Sequence, residues 1–248
     1  MKFLHRKFFG NLVLVLSLFL FSCQKVEPEN SPQHLYFKAF EMLKDKDYMM
    51  AGDAFEKIDD EFPLSKWAIK GQLMAVYCNY KLNEYDKIIQ ISDDFIKSVP
   101  NSEYVSYILY MKSLALYNKI PSIERAQDFT KEASYAFREL IARYPDSEYS
   151  LDAKNKLDFV NEHLAGAKMS IARSQMSEEN YIGAIKNLNY VINSPIKTNQ
   201  IPEAYFRLVE IYFRIGFKDF ATEIALTLQE KYPRNYWSNE VQKYVNPK

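Results

Sequence analysis

Three histidines, two cysteines and scattered carboxylates are the side chains that could carry chemistry in this 248-residue sequence. A metal centre needs such ligands at short, recurring spacings. His5, His34 and His163 lie far apart, with no cysteine or carboxylate at ligand spacing. The strings GxSxG, GxxxxGK(S/T) and GxGxxG, which serve nucleophilic attack and phosphate binding, do not occur. Asp59-Asp60 and Asp93-Asp94 could pass for acid–base pairs, but they lie on helix surfaces near Lys57 and Lys97 and read as solvated charge. Cys78, between Tyr77 and Asn79 in a helical pattern, reads as a small apolar core residue. The expectation is a non-enzyme that uses no metal and no cofactor.

Cys23 is the exception. Lys2, His5, Arg6 and Lys7 form a positive start, and Phe8–Phe21 is apolar apart from Gly10, Asn11 and Ser17. A membrane-spanning helix needs about 20 apolar residues, so this stretch fits a signal-peptide core instead. It ends in Leu20-Phe21-Ser22-Cys23, which resembles a bacterial lipobox. That resemblance makes residues 1–22 a cleaved leader and Cys23 the lipidated first residue of the mature chain. Several acyl chains on one terminus would hold a membrane stably, whereas one chain is marginal. Gln24, where inner-membrane lipoproteins tend to carry Asp, implies sorting to the outer membrane. Residues 23–32, with QKVEPENSP after the cysteine, read as the lipidated end and a flexible tether.

The elements behind these residues are legible from composition. Apolar residues make up 48% and charged residues 26%, so a packed core is expected and wholesale disorder is not. Only 6 Gly and 10 Pro suit long helices better than turn-rich sheets. Removal of Lys2, Arg6 and Lys7 with the leader leaves 29 basic against 32 acidic side chains, with no basic excess for nucleic acid.

A repeat organises the remainder. FPLS (62–65), VPNS (99–102), YPDS (144–147) and YPRN (232–235) each close one helical pattern and open another, and Ser194-Pro195 is a weaker copy. Proline stops a helix. Ser65, Ser102, Ser147 and Asn235 are then expected to cap the next one. Upstream of each proline lie four residues at steps of 3, 4 and 3, or 4, 4 and 3 in the third copy, one helix face. They are Tyr48, Ala51, Phe55 and Ile58; Tyr85, Ile88, Ser92 and Phe95; Phe129, Ala133, Phe137 and Leu140; Tyr181, Ala184, Leu188 and Val191; and Lys218, Ala221, Ala225 and Leu228. The proline spacings of 37, 45, 50 and 38 imply extra chain near Asn118–Ser122 and within the 151–168 helix.

This pattern resembles the tetratricopeptide repeat, with a period near 34 residues. The expected fold is all-α, a right-handed superhelical array of about five tetratricopeptide-like helix pairs. Repeats 1–3 would occupy 33–145, and a linking helix with repeats 4–5 would occupy 146–248. Stacked repeats share a core and present a concave face to peptides. Aromatics on the first helices are the groove candidates: Tyr36, Phe40, Leu73, Tyr77, Tyr80, Tyr107 and Tyr110. Tyrosine offers apolar area and a hydroxyl with few rotors to freeze.

The strings LSKWAIKGQLMAVYCNYKLNEYDKII (64–89), NSEYVSYILYMKSLALYNKI (101–120), AFRELIARYPDSEYSLDAKNKLDFVNEHLAGAKMSIARSQMSEENYIGAI (136–185) and EAYFRLVEIYFRIGFKDFA (203–221) resemble the BamD/ComL family, the repeat lipoproteins of the β-barrel assembly machinery. The chain departs from the family at Arg173–Glu178 and at Ile192–Pro195, which a polar insertion, Lys197–Gln200, follows. The resemblance implies a lipid-anchored protein at the periplasmic face of the outer membrane. It implies a groove over 33–145 for unfolded outer-membrane proteins, and a dock over 165–245 for a BamA-like insertase and other subunits of the machinery. Tyr205, Arg207, Arg214, Tyr236 and Trp237 are the docking candidates. The alternative keeps the lipid and the repeats but makes the chain a scaffold for pilus assembly or peptidoglycan synthesis. A lytic transglycosylase would need a catalytic Glu in an added domain, and 33–245 leaves no room for one.

Overall fold

A computed structural model describes residues 28–245. The leader and Cys23 lie outside the described residues. The regular structure of the described residues is all helical: α1 (Pro32–Lys44), α2 (Tyr48–Glu61), α3 (Lys66–Leu82), α4 (Tyr85–Ser98), α5 (Val105–Asn118), α6 (Asp128–Arg143), α7 (Ser150–Ser177), α8 (Tyr181–Ile192), α9 (Ile201–Arg214), α10 (Lys218–Lys231) and the short α11 (Tyr236–Glu240) and α12 (Gln242–Val245). The all-α expectation holds, and the first ten helices form five successive pairs.

The turn inside a pair is built the same way four times. Helix α1 ends in two reverse bonds, from Lys46 N to Leu43 O (3.0 Å) and from Asp47 N to Met42 O (3.1 Å). The same pair of bonds recurs at Asn83 and Glu84, at Glu179 and Asn180, and at Gly216 and Phe217. This is a Schellman motif, which satisfies the last carbonyls of a helix and needs a left-handed residue after the cap. That residue is Lys46, Asn83, Glu179 or Gly216, with φ between 58° and 92°. Only the last is glycine; at the other three a side chain tolerates a conformation that costs about 1–2 kcal/mol. The residue after it opens the partner helix, and Asp47 and Asn180 cap there by accepting from Met50 N and Gly183 N.

The turn between pairs also repeats. Phe62, Val99, Tyr144 and Tyr232 hold φ −134° to −136° and ψ 55° to 61°, immediately before proline. The proline ring excludes helical geometry from the residue before it, so each helix stops there. Ser65 and Asn235 then cap as expected, accepting from Ala68 N (3.0 Å) and Trp237 N (3.0 Å). Ser102 and Ser147 do not cap α5 and α7 directly. Each accepts from the residue two ahead, Tyr104 N or Tyr149 N, and shapes a turn before the helix begins. The fourth copy breaks the pattern: Asn193 has φ −88° and ψ 2°, with proline one residue further on.

The long proline spacings have two sources. Residues 119–127 form a loop inside the third pair in place of the tight turn. His163 Nε2 holds it to α7 by a 2.9 Å bond to Pro121 O; a carbonyl only accepts, so the proton is on Nε2. The second source is α7 itself, 28 residues long.

The chain divides into two compact units inside α3, Met1–Gly71 and Gln72–Lys248. In the first, α1 packs on α2 around Ala39, Ala51, Phe55 and Ile58, all fully buried. Gly71 is required there, because a Cβ would stand 3.0 Å from Phe55 O, a backbone atom that cannot rotate away. In the second unit, each helix from α4 to α10 packs on the next. One core joins Met169, Ala172, Ala184, Leu188, Ala204 and Leu208 from α7, α8 and α9. The next joins Phe206, Val209, Ala221, Ala225, Leu228 and Val241 across α9, α10 and the terminal helices. In the second unit the fourth and fifth pairs share these cores with their neighbours, which is the organisation of a repeat array.

Candidate functional site

Two groups of conspicuous side chains emerge. The first is a band of tyrosines on the first helices of the second unit. Tyr107 lies near Tyr77 on α3 and Tyr149 just before α7, whose phenols help to raise its own. Tyr110, one turn along α5, lies near Tyr80 and Tyr149 in the same way. The Tyr110 and Tyr149 rings stack at 5.0 Å, and Tyr107 meets Tyr149 at 5.8 Å. The band therefore crosses three successive first helices.

Two carboxylates border it, Asp152 at Tyr110 and Glu148 at Tyr149. Tyr110 Oη donates to Asp152 Oδ2 at 2.7 Å, and Lys156 Nζ donates to Oδ1 at 2.8 Å. Burial opposes ionisation of Asp152, but these two donors outweigh it and hold its carboxyl below the usual range. Burial is also the main cause that drives the Tyr107 and Tyr110 phenols far above their ordinary value. The band is thus half-buried and rich in hydroxyls, with the Asp152 and Glu148 carboxylates beside it, a surface suited to recognition rather than proton transfer.

Of the groove candidates, Tyr77, Tyr80, Tyr107 and Tyr110 come together. Leu73 is only 7% exposed and belongs to the core. Tyr36 and Phe40 lie in the first unit, where Tyr36 also meets Phe37, Phe55 and Trp67 at 5.1–5.9 Å. Tyr149 and Asp152 were not singled out in the sequence. Their signal was an aromatic–acid pair three residues apart at the start of a first helix.

The second group centres on Arg207. Its guanidinium bonds Glu203 at 3.2 Å and Glu210 at 2.7 Å, and Glu203 also meets Arg173 at 3.3 Å. The guanidinium stands 5.1 Å from the centre of the Trp237 ring, which packs on Phe206 at 4.9 Å. Burial works against this charge, but the two carboxylates outweigh it and keep the guanidinium charged. Tyr236, 64% exposed, stands against Trp237 at 5.0 Å. Arg207, Trp237 and Tyr236 therefore form one cluster. The other docking candidates lie elsewhere: Tyr205 accepts from Lys231 Nζ at 3.3 Å and lines a cavity of about 260 Å³ between α8, α9 and α10, and Arg214 reaches Tyr181 Oη at 3.5 Å.

Neither group contains a metal centre: among the described residues no three His, Cys, Asp or Glu side chains could hold an ion. Also among them, no helix is long and apolar enough to cross a membrane.

Comparison with known families decides what the array is. A family model described as an outer membrane lipoprotein, YfiO, matches residues 28–228. The chain belongs to the YfiO family of outer membrane lipoproteins. It is 32% identical over 221 residues to the outer membrane protein assembly factor BamD of Caulobacter vibrioides, covering 89% of this chain and 72% of that one. It is 30% identical over 229 residues to BamD of Rickettsia prowazekii, covering 91% of each. Among solved structures it is similar to a thermophilic TPR protein of Thermus thermophilus, with a TM-score of 0.41, 15% identity, and 87% and 99% of the two chains covered. The YfiO match spans all five helix pairs, ending near the close of α10.

Proposed function

We propose that the chain is an outer-membrane lipoprotein that works as a protein-binding scaffold in the assembly and insertion of β-barrel outer-membrane proteins. The match to BamD relatives along nearly the whole repeat array carries this reading. A lipid on Cys23 holds the chain at the periplasmic face of the membrane, and the polar residues after it act as the tether. The role is non-catalytic and needs no cofactor beyond that covalent lipid.

The division of labour follows the two clusters. The tyrosine band of α3, α5 and α7 receives segments of unfolded outer-membrane proteins. Its rings supply apolar area, and its neutral hydroxyls supply hydrogen bonds for an incoming backbone. The Arg207–Trp237–Tyr236 cluster docks the chain on a BamA-like insertase. An arginine already fixed by carboxylates and an indole loses little freedom when it meets a partner.

The band has a direct test. Replacing Tyr77 and Tyr80 together by Ala should weaken binding of a peptide from the carboxy-terminal strand of a β-barrel protein by about tenfold or more, since each lost aromatic anchor costs on the order of 1–2 kcal/mol. Fluorescence anisotropy would measure this, and circular dichroism would check that helicity is retained. Unchanged affinity in a folded variant would remove the band from the account.

A further inference from the structure

A cationic cavity is formed by residues that belong to neither cluster. A cavity of about 590 Å³ opens between α6, α7 and α8, bounded also by the loops 119–127 and 193–200. Its wall carries Arg125, Lys131, Arg138 and Lys168, and not one carboxylate. Tyr135 and Tyr190 frame it and are 72% and 61% exposed. Four cations around one hollow, without an anion among them, is an arrangement that raises the energy of the empty protein and falls in energy when an anion enters.

Two of the cations are held by neutral groups of the wall. Arg138 is held in place by bonds of 3.2 Å from Nε to Ser134 Oγ and from Nη2 to the buried Asn161 Oδ1. Both partners are neutral, so the guanidinium is oriented while its charge stays unmatched. Lys168 Nζ stands 5.1 Å from the centre of the Tyr190 ring. Lys131 alone has a carboxylate beside it, Asp128 at 3.2 Å. A small annex of about 40 Å³ continues the cavity past Asn161 and Ser194 to Thr198. Thr198 Oγ1 is buried and has no hydrogen-bond partner among the described residues. A buried hydroxyl left so is costly, and a polar atom or water brought in by an occupant relieves it.

From this geometry we infer that the cavity binds an acidic, partly apolar segment of a partner protein. A Glu or Asp carboxylate sits against Arg138 and Lys168, and an adjoining apolar side chain lies against Tyr190, Ile171 and Leu164. The volume suits several side chains rather than a single small anion. Paired tyrosine and arginine are the residues enriched at the centres of protein interfaces. An acyl chain fits poorly, because it offers no hydrogen bond to the polar side chains of the wall, Gln127, Ser134, Asn161 and Ser194. The site stands whichever machinery the chain serves, since it rests on charge and shape alone.

A random peptide library displayed on phage and panned against the full-length protein in mild detergent tests this. The recovered peptides should carry Asp or Glu beside Phe, Trp, Leu or Ile. Synthesised individually, they should bind about tenfold or more weakly to the Arg138→Gln, Lys168→Gln double variant, and more weakly as salt is added. Glutamine at 138 keeps an amide for Asn161, and circular dichroism reports whether the variant folds; should it fail to, Tyr190→Ala on the exposed face of α8 should reduce the same binding. The proposal is overturned by an empty selection, by peptides with no acidic bias, or by peptides that bind wild type and variants equally. It is also overturned if phosphatidylglycerol vesicles, and not peptides, bind wild type and lose binding to the double variant.

Discussion

Replacing Phe137 by Ala should destabilise the second unit by about 3–5 kcal/mol, the usual cost of emptying a fully buried aromatic site. Phe137 is completely buried and meets Tyr117 edge-on at 6.2 Å. It occupies the aromatic position of its repeat, eight residues before the proline, as Phe55 does in the first copy, and Phe55 is completely buried too. Helix α6 packs on α5 before it and on α7 after it, so a void at its centre loosens two interfaces at once. Lys119, which pairs with Asp86 and stands over Phe129, ties the same region to α4 from the surface, but an exposed ion pair cannot make up a lost core. Urea denaturation followed by circular dichroism gives the value. A shift worth less than about 1 kcal/mol would mean that the site collapses without penalty and that the repeats are not close-packed.

Replacing Cys23 by Ala should abolish lipid attachment altogether. The sequence offers one cysteine after a short apolar leader, and the other, Cys78, is buried in α3. Cells fed a clickable palmitate analogue should label the wild-type chain and leave the variant unlabelled. If the variant is also given an ordinary cleavable leader in place of residues 1–22, it should move from the membrane to the soluble fraction, as the proposed anchor on Cys23 requires. Label on the variant, or none on the wild type, would contradict the assignment.

Much of the fold was legible because it rests on local rules. Proline stops helices wherever it stands, and steps of 3, 4 and 3 mark one helix face without reference to the rest of the chain. Ala133, Phe137 and Leu140, or Ala184, Leu188 and Val191, are buried as that spacing requires. What could not be read depends on neighbours distant in sequence. The left-handed turns at Lys46 and Glu179 carry no glycine, so only the chain path shows them. Ser102 and Ser147 resemble Ser65 in sequence, but an extra turn comes between them and their helices. Leu73 shares the first-helix pattern of Tyr77 and Tyr80, yet its position on α3 turns it into the core. Arg207 shows in the sequence as one arginine among many. What sets it apart is the Trp237 ring beneath it, thirty residues further on. The cationic cavity joins residues between 125 and 196 that no single helix face could have revealed.

The central claim is that this array serves the machinery that inserts β-barrels. The most direct measurement is extraction of the full-length lipoprotein from its own membranes in mild detergent, followed by mass spectrometry of what comes with it. The account predicts a large outer-membrane barrel with periplasmic repeats, lost or reduced when Arg207 and Trp237 are both replaced by Ala. Recovery of pilus or cell-wall synthesis proteins in place of that barrel would contradict it.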